Sequence, residues 1–193
     1  MKLRMIKEED IKDVLSIYRP FITNTPITFE YTVPSYKKFV KRVHKINSTY
    51  PWLVAEINGQ VVGYAYTSRF KERAAFSWDA EFSVYIREEF HGQNIGRNLY
   101  CALEEISKLQ GIYNIYSLIT STAKNSINYH KAMGFEYVYT LENCGWKFDH
   151  WYGLVFYHKK IGDFSKVPEP IIPIEYIEKE KIEDILKKYS TAD

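Results

Sequence analysis

The sequence of 193 residues predicts a single α/β (α+β) domain, a sheet flanked by helices, and three observations carry that expectation. Segments with apolar residues at helical spacing alternate with short strand-like runs. Asn58-Gly59, set between two apolar runs, is the strongest short-range signal for an antiparallel hairpin. Apolar residues make up 46% of the chain and aromatics 17%, which supplies one core and excludes a disordered chain.

The elements follow in order. A strand is expected over residues 2–6. Ile11, Val14, Leu15 and Tyr18 then recur at helical spacing, and Pro20 is expected to end or kink that helix. After Pro34 and Ser35, the residues Tyr36, Phe39, Val40 and Val43 mark the inner face of a second helix, with Lys37, Lys38, Lys41 and Arg42 left to water. Residues 52–57 and 60–66 form the hairpin, and a third strand of the meander is expected over 76–86. A helix over 96–110, a strand over 113–119, a helix over 125–133 and two closing strands over 135–141 and 151–158 complete a main domain of residues 1–162. The remainder, 163–193, reads as a proline-rich connector through Pro168, Pro170 and Pro173, then a helix with Ile182, Ile185, Leu186 and Tyr189 on one face. That face needs a packing partner, either this domain or a second subunit. No internal repeat is present.

Charge and cysteine content narrow the classes of function. Twenty-six basic and 24 acidic residues are interspersed, giving a formal charge of +2 and no single-sign field of the kind that binds nucleic acid or an anionic membrane. Neither partner is expected. Cys101 and Cys144 stand 43 residues apart without a CxxC spacing, so neither a metal nor a redox site is expected. The start, Met1-Lys2-Leu3-Arg4, lacks the apolar region of a secretory leader, and no stretch approaches 18 apolar residues; the cytoplasm is the expected compartment.

The most informative stretch is residues 83–106, which reads strand, turn, helix. His91-Gly92-Gln93-Asn94-Ile95-Gly96 opens the helix. A helix start presents unpaired N–H groups and partial positive charge, and small residues let an anion approach the backbone. A pyrophosphate suits such a turn. It is not the dinucleotide GxGxxG, because Gly92 and Gly96 are four apart and no acidic residue follows at the required distance.

The order of elements, together with Ile17-Tyr18, Thr28-Phe29-Glu30, Tyr50-Pro51-Trp52, Gly63-Tyr64-Ala65-Tyr66, Arg73 to Phe76, Glu81 to Ile86, His130 with Gly134-Phe135, and Gly145-Trp146-Lys147 followed by Trp151, resembles the GNAT superfamily of N-acetyltransferases. Within it the chain is similar to the phosphinothricin N-acetyltransferase group, through most of residues 2–173. The resemblance implies a mixed, mostly antiparallel sheet and acetyl-CoA as cosubstrate, bound at a Q/R-x-x-G-x-G/A turn. On that pattern His91 stands at the Gln/Arg position, Asn94 at a usual glycine, and Gly96 at the final small residue. Asparagine is the non-glycine residue that best tolerates a left-handed conformation, so the turn can still form.

The resemblance also assigns roles. The backbone of Val84, Tyr85 and Ile86 would pair with the pantetheine arm, and His91, Gly92, Gln93, Asn94, Ile95, Gly96 and Arg97 would hold the pyrophosphate, with Ser126 as a further coenzyme contact. Glu81 would remove the amine proton, directly or through water. Independently of the family, an acid among Phe76, Trp78, Phe82 and Val84 is expensive unless paired or catalytic. His130 would act as acid to the thiolate or as a substrate contact, its ordinary pKa near neutrality suiting either. Arg73 would meet an acidic group of the acceptor, a task for which a rigid fork of donors is suited, with Phe29, Phe76 and Tyr85 as walls. Ala123, Phe148, Tyr152 and Gly153 depart from the group's usual residues.

The function expected is transfer of acetyl from acetyl-CoA to the primary amine of a small amino-acid-like molecule, of the phosphinothricin or methionine sulfone/sulfoximine type, in a ternary complex without metal. A homodimer is the expected assembly. Two alternatives stay open: an acetyltransferase for another amine, such as a peptide terminus or a polyamine, and a non-catalytic acyl-CoA sensor.

Overall fold

The computed structural model describes residues 1–191. Seven strands form one sheet in the order β1-β2-β3-β4-β5-β7-β6. The first helix, α1 (Ile11–Thr23), and the second, α2 (Tyr36–Asn47), separate β1 (Lys2–Met5) from β2 (Trp52–Ile57). Then come β3 (Gln60–Arg69), β4 (Asp79–Ile86), α3 (Ile95–Leu109), β5 (Asn114–Thr120) and α4 (Lys124–Ala132). The last elements are β6 (Glu136–Lys147), β7 (His150–Lys160) and α5 (Lys179–Tyr189). All neighbouring pairs are antiparallel except β4 and β5. The expected mixed sheet is therefore present.

Alternation along the strands loads both faces. One face packs against α1 and α2, where Ile17, Ile22, Phe39 and Val43 meet Trp52 and Tyr64. The other packs against α3 and α5, with Leu53, Phe82, Leu99 and Leu103 at its centre. Ser35 caps α2 as its side chain accepts from the Lys38 N–H. Asn58 and Gly59 both have positive φ, the turn that matches strand twist in a two-residue hairpin.

The structure corrects several boundaries. Helix α1 runs through Pro20 to Thr23, continuing past the one i→i−4 bond that the proline nitrogen cannot donate. The third meander strand starts at Asp79, not 76, since Ala74–Phe76 wind into a 3-10 turn. The closing strands are longer than expected: β6 and β7 continue to a two-residue turn at Phe148-Asp149, with φ of 49° and 56°. Neither residue is a glycine, so the turn carried no obvious signal.

The tail packs on the domain itself. Ile174, Ile177, Ile182 and Leu186 are buried in the same core as α3, and Lys188 Nζ donates to Glu105 at 2.6 Å. The proline-rich connector is tied down by Trp78, which donates to the Glu169 carbonyl at 2.7 Å, and by buried Gln110, whose amide donates to Thr49 O and Ile172 O.

What positions the site is a parting of strands. β4 and β5 pair only from Asp79–Glu81 to Asn114–Tyr116. Beyond that, β4 stays with β3 to Ile86 while β5 follows β7 to Thr120, and a wedge opens in the middle of the sheet.

Candidate active site

A cavity of about 260 Å³ occupies this wedge, lined among others by Tyr18, Thr28, Glu81, Tyr85, Ser117 and His130. Glu81 is the last β4 residue before the strands part, and the alternation that buries Phe82 on the α3 side leaves Glu81, Ser83 and Tyr85 on the other. Among the described residues no side chain or backbone group hydrogen-bonds its carboxylate. Burial raises its pKa above the ordinary carboxylate value. The buried hydroxyl of Tyr66, from the neighbouring strand, has its own pKa pushed up to about 12, chiefly by desolvation.

His130 faces the same cavity from α4 and is only 4% exposed. Its Nδ1 donates to the Ser126 carbonyl at 2.8 Å, which fixes the tautomer and leaves Nε2 without a protein partner among the described residues. The rings of Tyr100, Tyr129 and Phe135 meet its imidazole edge to face. Burial lowers its pKa, against a smaller opposing effect from the Ser126 carbonyl, so the ring is neutral at pH 7.

Beyond Ile86 the chain makes a 3-10 turn and enters α3. Asn94 adopts φ 60° and ψ 8°, the left-handed conformation expected of it, and Gly92 has φ 79°. The His91 ring closes the turn by donating from Nε2 to Ile86 O at 3.1 Å. A Cβ at Gly96 would meet nothing nearer than Tyr129 at 3.8 Å, so alanine would fit as well as glycine. The Tyr129 hydroxyl donates to Gly96 O at 2.8 Å and joins the turn to the helix that carries His130. A helix start with free N–H groups, reached along a strand edge that has lost its neighbour, fits the pyrophosphate and pantetheine of acetyl-CoA.

The structure thus brings Glu81, Val84, Tyr85, Ser126 and His130 together at one cavity, while Ile86 and residues 91–97, which follow β4 through the turn into α3, do not line it. Three expected acceptor contacts do not line it. Phe29 packs on the backbone of Gly145, where an added Cβ would lie 2.4 Å from the ring. Arg73 stands just ahead of the 3-10 turn in the β3–β4 loop, and Phe76, on that turn, is 37% exposed. Sequence reasoning missed the lining residues Ser117 and Thr120, although small polar residues within the apolar run of β5 were a usable signal.

Tyr18, read from the sequence as part of a helix face and of the Ile17-Tyr18 motif without a role, donates its hydroxyl to Glu30 at 3.0 Å and lies 2.9 Å from that of Thr28, at the cavity wall. Arg42 closes the group with a bond to Glu30 at 2.6 Å.

Comparison with known proteins supplies the family. The sequence profile described as "Acetyltransferase (GNAT) domain" matches residues 3–155. A phosphinothricin N-acetyltransferase of Streptomyces viridochromogenes is 26% identical over 177 residues, 92% of this chain and 96% of that protein. An L-methionine sulfoximine/L-methionine sulfone acetyltransferase of Pseudomonas paraeruginosa is 29% identical, over 82% of this chain and 94% of its own. The crystal structure of a phosphinothricin acetyltransferase from Sinorhizobium meliloti in complex with acetyl-CoA superposes with a TM-score of 0.84. It is 30% identical and covers 86% of this chain and 92% of that one. The chain therefore belongs to the GNAT family, as an acetyl-CoA-dependent N-acetyltransferase.

Proposed function

We propose that the protein transfers acetyl to the primary amine of a small amino-acid-like acceptor, of the phosphinothricin or methionine sulfone/sulfoximine type, with Glu81 as the base. The observation that carries this reading is the unpaired, half-buried carboxyl of Glu81 opening on the same cavity as His130 Nε2, where β4 and β5 part. The names of the relatives supply the class of acceptor.

Acetyl-CoA supplies an activated acyl thioester. At neutral pH the acceptor amine arrives as an ammonium, and Glu81 takes a proton from it, directly or through one water. The raised pKa makes this carboxylate a stronger base than an exposed one. His130 starts neutral, so it can give a proton to a leaving thiolate only after it has first accepted one at Nε2. It serves as a shuttle or as an acceptor for an amine hydrogen. The turn at residues 91–97 anchors the pyrophosphate, and the free edge of Val84, Tyr85 and Ile86 aligns the arm. These proton transfers call for no metal. Arg73, on its exposed loop, is kept as the proposed partner of an acidic group on the acceptor, with Phe29 and Phe76 as outlying apolar contacts.

We also infer a cytoplasmic homodimer. Strand β6 is the outer edge of the sheet and leaves Tyr137, Val138, Tyr139 and Trp146 exposed, an apolar surface that a second copy would cover. The interspersed charge argues against nucleic acid as a partner, and no helix among the described residues is long and apolar enough to cross a membrane.

Release of free CoA with a panel of acceptors tests the reading. Methionine sulfone, methionine sulfoximine or phosphinothricin should outrun polyamines and peptide termini. Release with polyamines or peptides alone would replace the acceptor class, and release with none would leave a sensor of acyl-CoA.

A further inference from the structure

Lys147, at the end of β6, is 2% exposed, and lysine is seldom buried unless its charge is met. No carboxylate lies within ion-pair distance of it among the described residues. Its Nζ instead donates to two backbone carbonyls, Thr25 O at 2.8 Å and Thr28 O at 2.7 Å. Both belong to the loop that leaves α1 and carries Ile27 and Thr28 into the cavity wall.

That loop depends on side chains for its position. Residues 25–34 make no backbone–backbone hydrogen bond in the described structure. The loop is held by Lys147, by Thr120 Oγ1 donating to Pro26 O at 2.7 Å, by Tyr31, whose hydroxyl donates to Trp146 O, and by Thr28 and Glu30, which bond to Tyr18 and, for Glu30, to Arg42. The Phe29 ring fills the space a side chain at Gly145 would take, so the tip of the β6–β7 hairpin is fitted to the loop at three successive residues. Of these contacts, only the ammonium gathers two carbonyls three residues apart, and a neutral aliphatic group there would leave both unpaired.

We propose that Lys147 is a positioning residue for acceptor specificity: its ammonium, bonded to Thr25 O and Thr28 O, draws the 25–31 loop onto the β6–β7 hairpin and so sets the acceptor wall of the active-site cavity. Thr28 is then fixed twice, through its carbonyl by Lys147 and through its hydroxyl by Tyr18. The proposal rests on the acetyltransferase reading above and concerns acceptor binding, leaving the base and the coenzyme turn untouched.

The test compares the parent with Lys147→Met and Lys147→Arg, using an acceptor that the parent acetylates and following CoA release and amide hydrogen exchange. Lys147→Met should raise KM for the acceptor about tenfold, the scale of one charge-assisted hydrogen bond, with kcat and the KM for acetyl-CoA nearly unchanged. Exchange should quicken at Ile27 and Glu30, whose N–H groups donate to the Thr25 and Thr28 hydroxyls, and stay slow in β3 and β4. Lys147→Arg, which keeps the charge and several donors, should recover part of the loss. An unchanged acceptor KM with unaltered exchange would overturn the proposal. So would a parallel loss in both KM values and kcat that arginine does not relieve, the mark of a merely structural lysine.

If Lys147→Met does not fold, Gly145→Ala, which presses on the Phe29 side of the loop, carries the same expectation, and an acceptor KM unchanged in that variant would also overturn it. A parent that acetylates no amine would instead count against the proposed function, while the exchange measurement on apo protein would still report on the loop.

Discussion

At the scale of single residues, Asn94 shows how a departure from a motif can keep the geometry the motif exists to make. Its φ of 60° is the conformation that glycine adopts at no cost and asparagine at little. Asn94→Gly should therefore leave acetyl-CoA affinity unchanged or tighten it. Calorimetry showing a clear loss would mean that the amide itself holds the ligand. Arg73 is tested by substrate choice: Arg73→Ala should raise KM for acidic or zwitterionic acceptors by about ten- to a hundredfold, with polyamines little affected. Equal rates for all acceptors in steady-state assays would make it a solvated surface charge.

Glu81 and Asn94 were legible because their signals are local: a carboxylate in an apolar strand, and a residue type suited to one backbone conformation. Lys147 and Tyr18 were not, because what they do is decided by partners 119 and 10 or 12 residues away in the chain. Arg73 and Phe76 fell where a strand was expected to begin. The 3-10 turn found there leaves Phe76 substantially exposed, and no periodicity in FKERAAF announces it.

At the scale of elements, the Asn58-Gly59 hairpin, the amphipathic helices and the strand-turn-helix at 83–106 were all readable from spacing. The parting of β4 from β5 was not. It arises because β5 pairs with β7 along its whole length but with β4 over only three residues, a property of register across the sheet. The length of the β6–β7 hairpin was also hidden, since its turn uses Phe148 and Asp149 in place of glycine.

Helix α5 offers a stability test at this scale. Leu186 is 7% exposed in the shared core, on elements away from the cavity. Leu186→Ala should lower unfolding free energy by about 2–5 kcal/mol in denaturant titration while kcat stays near the parent value. A change well below that range would mean that α5 is not packed on α3 and β1 in solution.

At the scale of the whole molecule, one sheet serves two purposes. Its paired regions carry cores on both faces, and its central wedge holds the cavity onto which Glu81 and His130 open. The exposed aromatic edge of β6 adds an expectation about assembly: sedimentation should give a dimer, and Tyr139→Glu with Trp146→Glu should shift it toward monomer. A parent that sediments as a monomer at micromolar concentration would remove that inference.

The central claim, that Glu81 is the base, meets its most direct test in the pH dependence of kcat/KM for the acceptor, in the parent and in Glu81→Gln. Burial raises the folded-state pKa of this carboxylate, and only its deprotonated form accepts a proton. Activity should thus fall as pH drops through a pKa above the ordinary carboxylate value of about 4.3. Glu81→Gln should be slower on the order of a hundredfold, should lack that acid limb, and should bind acetyl-CoA as the parent does. A glutamine variant with the parent's rate and the parent's acid limb would contradict the account.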